Sequence, residues 1–403
     1  MRSIIRQFIL SGTHESAIIS HADAFWQNLR ETGTDLWLDT GDMDEAARNW
    51  TAEMTALTTN NTLLNTEIQK GIYDDLIIQA RDLVKDMSLR QQVVEIAFIL
   101  NARHGLRLAK KFGGFVSVEL HTDTAHDLEA IVKTGLRYAE IDPQHFIIKV
   151  PYTATGLLGA RMLHERGVRV NFTLGFSARQ NLFATALAHP NYVNVFLGRL
   201  GAYCKDNGLG SGDGVGERAV LSSQKWVKKM NLQYGLSTKL IAASLRSATQ
   251  LEKLAGTDVF TIPVKVAAEG RLTLSGKFTS RLNENYPIEI NDNAAGCFIE
   301  KIWEVSEREL LLIRDLSDDL PCCGNTLIDH AREAGCGDMF PVLSDEDMQV
   351  ISGDGKIPRH AHWADRIRSG ELAIDTLLNL AGLASFKHDQ AQLDQRIESI
   401  ITA

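Results

Sequence analysis

The stretch FIIKVPYTATGLLGARMLHERGVRVNFT, residues 146 to 173, contains the pattern that decides the fold. Two short apolar runs, 146 to 150 and 168 to 173, lie on either side of a segment with helical spacing at 157 to 166. Parallel strands need a long crossover between them, and that crossover is usually a helix. The stretch therefore predicts one strand–helix–strand unit of a parallel sheet.

The same alternation continues on both sides of this unit. Further segments with helical spacing span 74 to 109, 125 to 139 and 177 to 188. Six more apolar runs of strand length are LWLD (36 to 39), MTALT (54 to 58), FVSVE (115 to 119), YVNVFL (192 to 197), KLIAAS (239 to 244) and DVFTIP (258 to 263). Eight strands separated by helices predict an α/β fold, a (β/α)8 TIM barrel. A doubly wound open sheet would produce the same alternation, so spacing alone does not exclude it.

The alternation ends near residue 270, and the chain divides into four predicted regions. Residues 1–34 form an N-terminal region with an amphipathic helix over 14 to 32, and residues 35–269 form the barrel. Residues 270–365, rich in proline and glycine, are an inserted or appended segment. Residues 366–403 form C-terminal helices that pack on the barrel, at 371 to 383 and 388 to 401.

Composition narrows the function classes. The 403 residues are 44% hydrophobic and 23% charged, as in globular proteins, and carry a formal charge of −9. That charge disfavours nucleic acid and anionic membranes as partners. Five cysteines and a start without a secretory signal indicate a reducing, cytoplasmic location. No cofactor or metal is expected, although a zinc site stays a minor alternative at Cys322, Cys323, His330 and Cys336.

Polar residues are concentrated where the predicted strands end, which is where a barrel places its catalytic groups. Lys149 interrupts the apolar run Phe146-Ile-Ile-Lys-Val-Pro151. A desolvated lysine can lose its proton and attack a carbonyl carbon. The alternative is a structural lysine paired with Asp39 or Glu119. The remaining polar groups at or just after strand ends are Asn60, Asn171, Thr173, Asn194, Ser244 and Arg246.

Most of these residues lie in eight motifs, which are Asp39-Thr-Gly-Asp42, Thr58-Thr-Asn60, Val116-Ser-Val-Glu119, Ile148-Lys-Val-Pro151, Asn171-Phe-Thr-Leu, Phe176-Ser177, Phe196-Leu-Gly-Arg199 and Ala243-Ser-Leu-Arg246. The set resembles transaldolase motifs, in the same order and over about residues 35 to 265. The ending FKHDQAQL, 386 to 393, also resembles the terminal helix of that family, whereas the segment between does not match.

The resemblance implies a role for each matched position. Lys149 would form a Schiff base, Asp39 would be the acid/base for cleaving the carbon–carbon bond, and Glu119 would position a water with help from Thr173. Substrate would contact Asn60, Thr58, Asn171, Asn194, Phe196, Arg199, Ser244 and Arg246, with Arg199, Ser244 and Arg246 on the phosphate.

The implied activity is transfer of a dihydroxyacetone unit from a ketose phosphate such as fructose 6-phosphate to an aldose phosphate, as in the pentose phosphate pathway. The related fructose 6-phosphate aldolases release that unit instead, and they carry Gln and Tyr where this chain has Glu119 and Phe196. Transfer is therefore the expected reaction. The partners are sugar phosphates, and homo-oligomer formation stays open.

Four departures from the family pattern leave alternatives open. Asn61 stands where proline is usual, His121 where Asp is common and Asn194 where transaldolases have Ser, and the segment after residue 270 is extra. His121 and Asn194 are expected to face the barrel mouth. The alternatives are a specialised aldolase acting on an unusual sugar and a noncatalytic sugar-phosphate-binding protein.

Overall fold

Eight parallel strands close into a barrel in the computed structural model, which describes residues 2–403. Each strand pairs with its neighbours in sequence, and the first pairs with the last through Asp35 to Asp39 against Val259 to Pro263. The predicted TIM barrel is confirmed, and the open sheet is excluded because that closing pair exists. The strands are β1 Asp35–Asp39, β2 Met54–Thr58, β3 Phe115–Glu119, β4 Phe146–Pro151, β5 Val170–Thr173, β6 Tyr192–Phe196, β7 Lys239–Ala243 and β8 Val259–Pro263.

Helices surround this barrel and build the region that follows it. A π-helical turn, Ala184–Ala188, extends the ninth helix, and 3-10 turns lie at Thr122–Thr124, Asp292–Ala294, Ile299–Ile302 and Gly337–Met339. None of the helices within residues 2–403 is long and apolar enough to cross a membrane. The helices are α1 Arg2–Ser11, α2 Ala24–Arg30, α3 Met43–Asn49, α4 Asn61–Gln69, α5 Asp74–Val84, α6 Leu89–Phe112, α7 Leu128–Ile141, α8 Ala154–His164, α9 Ala178–Phe183, α10 Leu197–Asp206, α11 Val215–Tyr234, α12 Thr249–Lys253, α13 Val264–Thr273, α14 Glu307–Asp318, α15 Gly324–Glu333, α16 Asp345–Asp354, α17 His360–Arg368 and α18 Ile374–Thr402.

The barrel interior is filled by apolar side chains below the strand ends. This cluster consists of Trp37, Ala56, Ile147, Ile241, Ala243 and Val259. Side chains two residues apart on a strand share a face. The positions two residues beyond four of these are Asp39, Thr58, Lys149 and Thr261. The two-residue period of the strands therefore places polar groups directly above this apolar cluster, which we call the apolar plug, at the carboxyl ends of the strands.

The N-terminal helix differs from the prediction. Residues 14 to 23 are not helical, and the predicted helix over 14 to 32 is wrong in its first half. Ile18 donates its backbone N–H to the carbonyl of Lys111, 2.8 Å away, which ties this stretch to α6. The side chain of Asp23 accepts a hydrogen bond from the N–H of Phe25 and caps the start of α2.

The chain ends in one uninterrupted helix, α18, so the two helices predicted at 371 to 383 and 388 to 401 are wrong as separate elements. Residues 383 to 388 contain neither glycine nor proline to break a helix. The helix packs against α4, α5 and α6. The Arg396 guanidinium contacts the Asp74 carboxylate at 2.7 Å.

A buried arginine joins α9 to the segment after the barrel, residues 270–403. The Arg179 side chain is 1% exposed and contacts three carboxylates. Asp375 accepts two hydrogen bonds, at 2.8 and 2.7 Å, whereas Glu309 and Asp338 accept one each at 3.1 and 2.9 Å. Because these acids lie on α18, on α14 and in the 3-10 turn after α15, one side chain links three parts of that segment to the barrel.

Candidate active site

A cavity of about 400 Å³ opens at the carboxyl ends of the strands. Ten of the twelve predicted site residues line it, and Glu119 and Thr173 are buried beside it. The ten lining residues are Asp39, Thr58, Asn60, Lys149, Asn171, Asn194, Phe196, Arg199, Ser244 and Arg246.

Lys149 lies on β4 and is 4% exposed. Its Nζ is 3.4 Å from Oε2 of Glu119 and donates to the carbonyl of Thr59 at 3.1 Å. It also lies 5.8 Å from the centre of the Phe386 ring on α18. Of the two predicted acidic partners, Glu119 is thus the one in contact. Because the lysine still lines the cavity, this pairing leaves the amine open to a bound carbonyl.

Glu119 is held next to Lys149 by strand register, since the two residues are direct partners in the β3–β4 pair. Burial raises the pKa of the Glu119 carboxyl, and the positive charge of Lys149 offsets only part of this effect. The backbone N–H of Asn61 donates to Oε2 at 3.3 Å. Proline has no N–H, so the departure at this position adds a donor to the carboxylate.

Asp39 ends β1 and is oriented by its neighbour on β2. The Thr58 hydroxyl donates to Oδ1 of Asp39 at 2.8 Å and lies 2.5 Å from the hydroxyl of Thr261. Burial raises the pKa of Asp39, opposed by this hydrogen bond and by the charges of Lys149 and Arg246. A carboxyl whose ionisation is partly disfavoured can both take and return a proton.

Asn171 presents an unused acceptor to the cavity. Its Nδ2 donates to the Ser117 hydroxyl at 3.0 Å, whereas its Oδ1 is buried with no hydrogen-bond partner in the described part of the chain. The hydroxyl of Thr173 is likewise buried and without a partner among residues 2–403. Buried polar atoms are rarely left unpaired, so both positions are suited to a bound hydroxyl or water.

Asn194 and His121, two of the departures from the family pattern, contact other groups of the protein. Asn194 lines the cavity, but its Oδ1 accepts from the N–H of Gly175 at 3.0 Å and its Nδ2 donates to the carbonyl of Phe172. His121 is not among the residues that line the cavity, contrary to the prediction. Its Nε2 lies 3.3 Å from both carboxylate oxygens of Asp394 on α18.

A basic group borders the cavity beside Ser244, whose φ of 62° places it in the left-handed region. Arg199 is 7% exposed, and its Nη1 is unpartnered within the described residues. Burial and the nearby Arg246 lower the pKa of Arg199 to about 10. The backbone N–H of Arg246 donates to Oε1 of Gln250 at 2.7 Å. Two guanidinium groups and a hydroxyl at one rim suit a phosphate.

Sequence reasoning missed three kinds of lining residue. Thr62 and Leu63 come from α4, Phe386 from α18, and Lys356 from the segment after the barrel. The resemblance of the 386 to 393 stretch was a usable signal for Phe386. Nothing in the sequence marked Lys356. Within residues 2–403 no group of three or more His, Cys, Asp or Glu is arranged to hold a metal ion.

Comparison with known proteins identifies the family. The family model described as Transaldolase/Fructose-6-phosphate aldolase matches residues 36–296, well over half of the chain. The chain belongs to this family. The transaldolase of Nostoc punctiforme is 30% identical over 261 residues, 62% of this chain and 76% of the relative.

Two further relatives carry transaldolase names. The transaldolase of Xanthomonas euvesicatoria pv. vesicatoria is 32% identical over 56% of this chain and 71% of its own length. A probable transaldolase of Dictyostelium discoideum is 25% identical over 70% of this chain and 92% of its own length. At family level the chain is an enzyme of the transferase class that moves aldehyde or ketone residues. Residues 297 to 403 lie beyond the family match.

Proposed function

We propose that the protein transfers a dihydroxyacetone unit from a ketose phosphate, such as fructose 6-phosphate, to an aldose phosphate through a Schiff base at Lys149. The observation that carries the proposal is the buried amine of Lys149, which lines the cavity 3.4 Å from Glu119. A transaldolase relationship at family level supports the same chemistry.

The first step is attack of the neutral Lys149 amine on the ketone carbon of the donor. A proton reaches the ketone oxygen, and loss of water forms the iminium. Glu119, whose protonated form is favoured by burial, supplies this proton through a positioned water, so that the oxygen leaves as water and Glu119 becomes a carboxylate. Asn171, with its free Oδ1, and Asn60 hold donor hydroxyls.

The second step breaks a carbon–carbon bond. Asp39 takes the proton of the donor hydroxyl beside that bond, and the bonding electrons flow into the iminium, which releases an aldose phosphate. The three-carbon unit stays on Lys149 as an enamine. It then attacks the carbonyl of an acceptor aldose phosphate, Asp39 returns the proton, and water hydrolyses the new iminium. The scheme uses no cofactor, and Arg199 and Arg246 bind the phosphate of either sugar.

The test is intact mass after treatment with fructose 6-phosphate and borohydride, which reduces a Schiff base to a stable amine. We expect a dihydroxyacetone-sized adduct on the wild type and none on Lys149→Ala. Lys225→Met, which changes an exposed lysine on α11, is the matched control and should carry the adduct. Absence of the adduct from the wild type with this and other ketose phosphates would refute the proposal.

A specialised aldolase is the second candidate, favoured by one observation: Lys356, from outside the family match, lines the catalytic cavity. A panel of donors and acceptors separates the two. Efficient turnover of fructose 6-phosphate with erythrose 4-phosphate would exclude the specialised reaction. We further propose that the enzyme acts on free sugar phosphates in the cytoplasm, without nucleic acid or membrane as partner.

A further inference from the structure

One lysine reaches the catalytic cavity from the segment between α13 and α18. Lys356 lies in the loop between α16 and α17 and is exposed. It is the one residue of that segment among those lining the cavity in the described chain. It also lines an adjoining cavity of about 490 Å³, together with Arg199 and Arg246. The three cations therefore line both cavities.

The loop that carries Lys356 is fastened to the helix that carries Arg199. Asn207, at the end of α10, donates to the carbonyl of Pro358 at 3.0 Å and accepts from the N–H of His360 at 2.8 Å. The Tyr203 hydroxyl of α10 lies 2.7 Å from Nδ1 of His360. The backbone of the loop, two residues beyond Lys356, is therefore held to the helix that carries Arg199.

No carboxylate within residues 2–403 neutralises these cations by an ion pair. The adjoining cavity adds two further lysines that also have no ion-pair partner among residues 2–403. The cations without an ion-pair partner in the described chain are Arg199, Lys205, Arg246, Lys253 and Lys356. Asp206, Asp213 and Glu217 also line the adjoining cavity, but Glu217 is buried and accepts a hydrogen bond from Gln250. Positive charge therefore exceeds negative charge around the two cavities.

We propose that Lys356 is a substrate-binding residue that contacts the phosphate of the sugar phosphate beside Arg199 and Arg246. This inference rests on the proposed function and deepens it. A phosphate dianion has three terminal oxygens, and two guanidinium forks leave one side of it open to a point charge. The segment beyond the family match thus strengthens the selection of phosphorylated over neutral sugars.

Lys356→Met tests this directly, with Lys225→Met as a charge-matched control on the exposed face of α11. We expect the KM for fructose 6-phosphate to rise roughly tenfold in Lys356→Met, the loss of one charge-assisted hydrogen bond, with kcat little changed. The Kd of inorganic phosphate, measured by titration calorimetry, should rise by a similar factor. An equal rise in KM for unphosphorylated fructose, or no change in either phosphate measurement, would overturn the inference.

Asn207→Ala tests the anchor. Release of the loop should raise the KM for fructose 6-phosphate in the same way, and the double variant with Lys356→Met should show no further rise. Additive effects would mean that Asn207 does not act through Lys356. The adduct on wild-type Lys149 is measured separately, so its absence would refute the proposed function, whereas the phosphate Kd still decides the role of Lys356.

Discussion

Replacing Arg179 with methionine should uncouple the segment after the barrel from α9. Arg179 makes two hydrogen bonds to Asp375 and one each to Glu309 and Asp338. Methionine keeps much of the apolar stem but removes the charge. Lys301, 2.8 Å from Asp338, would be the remaining cation on the three carboxylates within residues 2–403.

The size of the effect follows from burial. Removing one partner of a buried ion pair costs about 3–5 kcal/mol, because the other charge is left without compensation. A domain is stable by only about 5–15 kcal/mol. We therefore expect a large fall in the midpoint of urea unfolding, measured by circular dichroism at pH 7. Arg314→Met is the control, since the Arg314–Asp315 pair is 67% and 68% exposed and should leave the midpoint unchanged.

The pH dependence separates charge from packing. Burial raises the pKa of Asp338, but Arg179 and Lys301 outweigh it and the net pKa lies below the usual value. The folded wild type therefore gains stability above the unfolded pKa, near 3.8, and loses it as pH falls through the lower folded pKa. Without Arg179 burial dominates and the sign reverses. The stability gap between variant and wild type should narrow from pH 7 to pH 5, and an equal gap at both would refute the reasoning.

Three other substitutions test the site. In Thr58→Val, loss of the hydrogen bond to Asp39 raises the pKa of that carboxyl further, so the acidic limb of the kcat/KM profile should move to higher pH; an unmoved limb would contradict its role as the base. Asn61→Pro removes one hydrogen-bond donor from Glu119, at a helix start where proline is tolerated. The pKa of Glu119 should rise, so the alkaline limb of the pH profile of adduct formation should move to higher pH. Identical profiles for variant and wild type would show that the donor is irrelevant. Asn194→Ala leaves backbone groups unpaired, so the unfolding free energy should fall by about 1–3 kcal/mol with little change in KM, and the reverse pattern would identify a substrate contact.

The barrel and most of its site were predictable because both follow from local period. Apolar runs mark the strands, and side chains on a strand alternate faces. The residue that follows the plug position Ile147 on the same face is Lys149, so the pattern alone placed an amine at the mouth. The ordered family motifs then assigned the neighbouring acids.

The rest depends on contacts between distant parts of the chain. Residues 14 to 23 have helical spacing, but the backbone of Ile18 pairs with α6 instead. Lys356 reaches the cavity only because Asn207 anchors its loop, about 150 residues away along the chain. Such long-range contacts leave no periodic signal in the sequence, which is why Lys356 was missed.

The departures from the family pattern share a physical feature. Each has a fixed partner: the N–H of Asn61 on Glu119, the ring of His121 near Asp394, and the amide of Asn194 on the backbone beyond β5. None of these contacts adds or removes a reacting group. These three residues therefore act on the orientation and proton affinity of neighbouring groups. Lys356 is the exception, because it adds a charge to the cavity, and substrate preference should depend on it more than on the three substitutions.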